Sequence, residues 1–274
     1  MLCHKFKCIY IHIPKSAGQS IHKIFARQLG YYQNKNAPLL LNLNNDPRLG
    51  PPALGHLKAS EYVSCGHISK ELFDSYFKFS FVRNPWARIV SEYKYRGHIR
   101  KYDFKSFLFK HLPKPEFTDA YTHIIPQYDF LYDENGELLV DYVGRFENLQ
   151  KDFDEVCGKI GLAQTNIPYR NSSSTSFKLP ECLYGIKDSL HSAIRKLRDF
   201  ISIKQRKNTY PNYTEYYDDE TREFVAELYR KDIDTFGYKF ERRPSPARLP
   251  IYKATAASRG IDRVPLQFFF GHGG

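Results

Sequence analysis

Ile9, Tyr10, Ile11 and Ile13 form a short apolar run closed by Pro14. It reads as a buried strand, stopped where proline removes a ladder donor. Small polar residues follow through Ser20. Then Ile21, Ile24, Phe25 and Leu29 recur at helical spacing, and Gly30 ends the helix. Residues 31–60 are mixed, with one buried segment expected around Leu39–Leu43. Glu61-Tyr62-Val63-Ser64-Cys65 reads as a second short strand ending at Gly66-His67, and Ser69 caps a short helix. Residues 77–82 (F-K-F-S-F-V) predict a third strand with Arg83 at its carboxyl end. Asn84 is an N-cap and Pro85 suits the first helical position, so a helix runs through Trp86, Ile89, Val90 and Tyr93.

Further on, residues 102–112 predict a helix with Phe104, Phe107, Leu108 and Leu112 on one face. Residues 128–146 turn to strands, with Asn135-Gly136 as a hairpin turn. A helix carries Leu149, Phe153, Val156 and Ile160 and closes at Gly161. Residues 163–182 read as loop, 183–201 as a strongly amphipathic helix with a basic face, and 218–236 as the last helix. Residues 244–274, with Pro244, Pro246 and Pro250, read as a tail in which Phe268-Phe269-Phe270 can dock on the body; residues 1–243 form one domain.

Strands alternating with helices argue for a parallel sheet flanked by helices, with ligands bound beyond the carboxyl ends of its strands. Lys15, His67 and Arg83 would then share one rim. The loop 14–20 resembles a phosphate cradle. Its amides and the positive helix end converge on one point, and Lys15 adds a full charge. It is not a Walker A loop, since no glycine precedes the lysine at the required distance. An ordinary strand-to-helix turn with a solvated lysine accounts for the same residues.

The chain has 274 residues, 42% of them hydrophobic and 16% aromatic, which supports a folded α/β domain rather than a disordered chain. The net charge of +11 favours a polyanionic partner without choosing among nucleic acid, phosphorylated nucleotide and sulfated polymer. The five cysteines are widely spaced and form no C-x-x-C, which fits free thiols in a reducing compartment. The first predicted strand begins near residue 9 and no apolar run reaches spanning length, so the expectation is a cytoplasmic chain without leader or membrane anchor.

Two motifs narrow the chemistry. Pro14-Lys15-Ser16-Ala17-Gly18-Gln19-Ser20 resembles the 5'-phosphosulfate loop of sulfotransferases, and residues 81–93 (F-V-R-N-P-W-A-R-I-V-S-E-Y) resemble their 3'-phosphate motif. Cys65-Gly66-His67 is similar to the Gly-His segment of the heparan sulfate 2-O- and chondroitin branch, as are residues 143–149 and the stretch through Asp232, Phe236, Gly237 and Tyr238. The likeness covers roughly residues 9–240, apart from a block at about 172–204 that looks inserted. It implies a P-loop-like fold and transfer of a sulfuryl group from 3'-phosphoadenosine 5'-phosphosulfate (PAPS) to a hydroxyl, of a carbohydrate in that branch. No metal is implied.

By the same resemblance, Lys15, Ser16, Ala17, Gly18, Gln19 and Ser20 hold the 5'-phosphosulfate, Arg83 and Ser91 grip the 3'-phosphate, and His67 is the base. Lys15 would also neutralise the leaving phosphate of adenosine 3',5'-bisphosphate (PAP). Glu61 and Glu92 are alternative bases, and His12 and His56 read as structural. Trp86 suits either adenine stacking or the core, and Arg88 reads as solvated or ion-paired. Lys204, Arg206 and Lys207 either close over the nucleotide or are simply exposed. Cys65 stands where related enzymes can carry a second histidine. Two rivals remain. A P-loop kinase would need Mg²⁺ and a full Walker A loop, which is absent. A non-catalytic polyanion- or nucleic-acid-binding protein would show concentrated basic surface, whereas the basic residues here are spread along the chain. Nucleic acid is therefore not an expected partner.

Overall fold

The structure is a computed structural model that describes residues 1–30, 39–167 and 212–241. The amphipathic helix expected at 183–201, the block at 172–204, the basic run at 204–207 and the tail from 244 all lie outside the described residues.

Four strands form one sheet in the order β1 (Leu2–Cys3), β2 (Cys8–Ile11), β3 (Phe77–Val82), β4 (Tyr142–Arg145). β2, β3 and β4 are parallel, and the short β1 edge runs antiparallel with Leu2 opposite Ile9. Side-chain alternation along the strands separates two cores. On one face Tyr10, Phe79 and Phe81 pack with Ile21 and Phe25 of α1 (Gly18–Gln28) and with Phe153 and Val156 of α8 (Leu149–Ile160). On the other, Ile9, Ile11 and Val82 pack with Trp86, Ile89, Val90 and Tyr93 of α4 (Pro85–Tyr95). Burying both faces explains why β2 reads as a continuous apolar run; β3 interleaves Lys78 and Ser80, whose polar atoms donate to the Tyr76 and Ile11 carbonyls.

Helices fill the crossovers. α2 (Glu61–Ser64) and α3 (Lys70–Ser75) precede β3; α5 (Phe104–Lys110), α6 (Asp119–Thr122) and α7 (Tyr128–Leu131) lie between α4 and β4. The stretch 218–236 is two helices, α9 (Asp219–Leu228) and α10 (Arg230–Phe236), broken at Tyr229. No helix among the described residues is long and apolar enough to cross a membrane.

Three local expectations are corrected. Residues 61–64 are helical, not a strand. Only Tyr62 of that turn is buried, and the Glu61 carboxylate accepts from the Lys58 amide at 2.7 Å, tying off the turn's start. A four-residue apolar run cannot by itself tell helix from strand. Residues 128–131 are helical too, because Asp232 accepts from the amides of Gln127 and Tyr128 and so caps that turn from another element. Asn135-Gly136 does turn the chain, with Gly136 at φ 82°, but the strands it joins amount to one bridge, Tyr132 to Leu138. β1, at the edge ahead of the first expected strand, was not anticipated.

Candidate active site

Lys15 and Arg83 follow the carboxyl ends of the adjacent parallel strands β2 and β3. The loop between β2 and α1 is bent by two non-glycine residues in the left-handed region, Lys15 at φ 68° and Ala17 at φ 70°. Each such residue costs on the order of 1–2 kcal/mol, and backbone strain of this kind concentrates at ligand clamps. The Ser16 amide donates back to the Ile13 carbonyl at 3.4 Å and the Ser20 amide to the Ala17 carbonyl at 2.9 Å, and no such backbone partner takes the amides of Ala17, Gly18 and Gln19 among the described residues. Ala17 is the N-cap of α1 and provides no side-chain hydrogen bond, so the helix's first amides keep their capacity for an anion. Gly18 begins the helix because nothing larger fits. A Cβ there would lie 1.7 Å from Nε2 of the buried His12.

Arg83 stands against this loop. Its Nη1 donates to the Lys15 carbonyl at 3.1 Å, and its guanidinium lies 4.1 Å from the centre of the Phe146 ring. Its Nε is buried without a partner among the described residues, a donor left unmet in a class of group that is nearly always bonded when buried. Burial holds Arg83 down to about 10 against the pull of Glu147. Lys15 Nζ sits 3.7 Å over the Tyr95 ring, and burial lowers it to about 8 despite Glu92 nearby. Lys94, one turn beyond Ser91 on α4, is also lowered, by burial and then by Arg83. Lys15 and Lys94 are thus both desolvated cations that also feel the charge of Arg83.

Gln127 fastens these pieces from behind. Its side-chain oxygen accepts from the Arg83 amide at 2.8 Å and its nitrogen donates to the Arg83 carbonyl at 2.8 Å. The same oxygen accepts from Ser16 Oγ at 3.5 Å, and the nitrogen also reaches Asp232 at 3.2 Å. Ser16 therefore faces the interior, fully buried. Arg88 is fully buried, not solvated: it donates to the carbonyls of Pro14, His123 and Ile125. Trp86 is a core residue whose Nε1 donates to Arg222.

The histidines fall out differently from the sequence reading. His67 follows α2 rather than a strand, and its Nε2 is bonded to the Leu49 carbonyl at 2.8 Å. No contact joins it to Lys15 or Arg83 among the described residues. His56 and His123 instead connect to Lys15, through the Tyr95 ring. His123 Nδ1 is 2.8 Å from Glu92 Oε2, its ring stacks on Tyr95 at 5.8 Å, and Tyr95 lies under Lys15. His56 Nδ1 bonds the His12 carbonyl at 3.1 Å, and its ring is 5.1 Å from that of His123. Burial and then His123 hold His56 down to about 4. Glu92 is pushed up by burial, yet His123 and Arg96 outweigh this and keep it low. Sequence reasoning missed Gln127, Tyr95, Lys94 and the His56–His123 pair. One signal was present: Gly55-His56 is a second Gly-His between the two phosphate motifs.

A parallel sheet that delivers a strained lysine loop and an arginine to adjacent strand ends defines an α/β protein of the P-loop-like, anion-transferring class. The chain belongs to the sulfotransferase family, whose model matches residues 1–239, and sulfuryl transfer is that family's chemistry. An uncharacterized protein of Archaeoglobus fulgidus (strain ATCC 49558 / DSM 4304 / JCM 9628 / NBRC 100126 / VC-16) is 34% identical over 105 residues, covering 35% of this chain and 78% of its own. No solved structure matches the chain.

Proposed function

We propose that this protein transfers a sulfuryl group from PAPS to a hydroxyl of an acceptor, a carbohydrate by the resemblance to the glycan-modifying branch. The observation that carries the reading is the Arg83–Lys15 junction, which sets a two-pronged phosphate binder beside a strained lysine loop. Lys15, the amides of residues 17–19 and Ser20 would hold the 5'-phosphosulfate. Arg83, with Ser91 and Lys94 on α4, would hold the 3'-phosphate. Transfer of this kind is mostly positioning and charge stabilisation on an in-line path. The acceptor oxygen bonds to sulfur as the bond from sulfur to the 5'-phosphate oxygen breaks, and Lys15 neutralises the charge that develops on PAP. One aimed donor of this type is worth ~3–4 kcal/mol.

The acceptor hydroxyl must lose its proton. The resemblance implies His67 as base; the geometry favours the His56–His123 pair. The Nδ1 atoms of both rings face acceptors, the His12 carbonyl and Glu92, so with those nitrogens donating each Nε2 would be the proton acceptor, that of His123 lying 3.6 Å from Asp119 Oδ1. Glu92 stands behind His123 as an orienting carboxylate, the way a buried carboxylate holds a catalytic imidazole.

Calorimetric titration with PAP, without metal, tests the donor site: tight binding by the wild type and its loss in Arg83→Ala are expected. No PAP binding alongside binding of ATP with Mg²⁺ would replace the reading with a kinase. For the base, His56→Asn and His123→Asn should lower kcat about 10²–10⁴-fold with PAP affinity unchanged. A comparable loss confined to His67→Asn would return the role to His67.

A further inference from the structure

We propose that His56, Asp119 and His123 form a three-ligand site for a divalent transition-metal ion such as Zn²⁺. One ligand atom from each residue lies within 4.8 Å of the other two. His123 Nε2 and Asp119 Oδ1 are 3.6 Å apart. A tetrahedral zinc ion with bonds of about 2.0–2.2 Å holds its ligands roughly 3.3–3.5 Å from one another, so this pair is already spaced for it. A small rotation of the partly buried His56 ring closes the rest.

A second observation, independent of the clustering, is how each ligand is held from behind. Metal-binding histidines donate their other ring N–H to a carbonyl or a carboxylate, which fixes the tautomer and aims the free nitrogen. Here both do so, His56 to the His12 carbonyl at 3.1 Å and His123 to Glu92 at 2.8 Å. The carboxylate is braced likewise: Arg96 donates to Asp119 Oδ2 at 2.7 Å and leaves Oδ1 for the ion. Two imidazoles and one carboxylate suit zinc and its neighbours rather than magnesium or calcium. The Asp119 side chain is 43% exposed, which gives the ion an entry path and leaves a fourth position for water, as in open three-ligand zinc sites.

A bound ion would take the two nitrogens that the proposed transfer uses to accept the proton, so the metal would act there as an inhibitor. That consequence rests on the functional reading; the binding site does not.

The test reads metal binding alone, on the whole chain, with no donor or acceptor present. Titration with Co²⁺ should give a visible ligand-field absorption without the near-ultraviolet thiolate band that cysteine ligation would add. Calorimetry with Zn²⁺ should give one ion per chain. Asp119→Asn and, separately, His56→Asn should abolish both signals while circular dichroism stays unchanged. Glu92→Gln, which touches no metal, should weaken Zn²⁺ about 10–100-fold. Absence of binding to the wild type overturns the proposal. So does binding that survives both ligand substitutions, since the ion would then sit elsewhere. If one variant fails to fold, the other decides. Loss of PAP binding would sink the sulfotransferase reading and leave this result untouched.

Discussion

Arg83 Nη1 donates to the backbone carbonyl of Lys15 at 3.1 Å, so the residue expected to bind one phosphate also shapes the loop expected to bind the other. A guanidinium–carbonyl bond of this kind is worth ~1.5–3 kcal/mol. Arg83→Ala should therefore do more than delete a charge. PAP affinity should fall at least 10–100-fold, and amide exchange at Lys15, Ala17 and Gly18 should accelerate in the unliganded protein. Arg83→Lys keeps the charge but lacks the fork, and should restore less than half of the lost binding free energy. Hydrogen exchange on the unliganded variants separates the two roles: a loop as protected in Arg83→Ala as in the wild type would show that Arg83 acts by charge alone.

Gln127 is fully buried and bonds Arg83 at both backbone groups, with Ser16 and Asp232 sharing the same amide. Gln127→Leu fills similar volume but strands several buried polar groups, each costing ~1–3 kcal/mol. The chain should melt several degrees lower and bind PAP more weakly, although Gln127 is not proposed to touch the nucleotide. Gln127→Glu keeps the acceptor for the Arg83 amide but sets a second oxygen against Asp232 and the Arg83 carbonyl, so it should be no milder than the Leu variant. A Leu variant with wild-type melting temperature and PAP affinity would remove Gln127 from the site.

The two segments proposed to bind phosphate could be picked out because their pattern is local. A strand, a stop, a lysine loop and a helix are contiguous in residues 9–29, and the Asn84 cap with Pro85 marks the turn after Arg83. The sheet was legible because β2 is a short apolar run and β3 sets Phe77, Phe79, Phe81 and Val82 around only two polar residues, Lys78 and Ser80. What escaped was assembled across distance. Gln127 follows a loop and precedes a four-residue helix, with no pattern of its own. Its role comes from Asp232, 105 positions away. Glu61-Tyr62-Val63-Ser64 is a helical turn closed by the Ser64 and Cys65 amides on the Ser60 and Glu61 carbonyls, with Tyr62 as its one buried side chain, which so short a run does not disclose. His56 gains its place from the His12 carbonyl, 44 positions earlier. Of two Gly-His pairs between the motifs, the sequence offered no physical ground for preferring the first.

Gly18 has no room for a side chain. Its Cβ would fall 1.7 Å from the His12 ring, which is buried and flanked by Tyr10, His22 and His56 rings at 4.5–5.7 Å. The ring cannot retreat without disturbing those neighbours. Overpacking of this kind costs ~1–3 kcal/mol, so Gly18→Ala should lower the melting temperature by roughly 2–12 °C. It should also shift the first turn of α1 and abolish PAP binding. Gly158, on α8, is open: a Cβ there would meet nothing within 4 Å. At that position alanine should be neutral or stabilising. Equal effects at the two positions would mean that helix propensity, not the His12 contact, governs Gly18.

Burial lowers Lys15 to about 8, and this gives donor binding a pH dependence with a definite sign. The ammonium is charged below that value and neutral above it. A phosphate seated on Lys15 favours the charged form and raises its pKa again, so binding above pH 8 takes up a proton. Affinity for PAP should be flat from pH 7 to about 8 and then weaken, approaching tenfold per pH unit. The phosphates of PAP contribute little there, since their second pKa is near 6. Lys15→Arg should flatten the curve, because a guanidinium stays charged throughout this range. Calorimetry at pH 7.0, 8.0, 9.0 and 9.5, in buffers of different ionisation enthalpy, measures both the affinity and the protons taken up. A wild-type curve that is flat to pH 9.5 with no proton uptake would mean that Lys15 does not meet the phosphate.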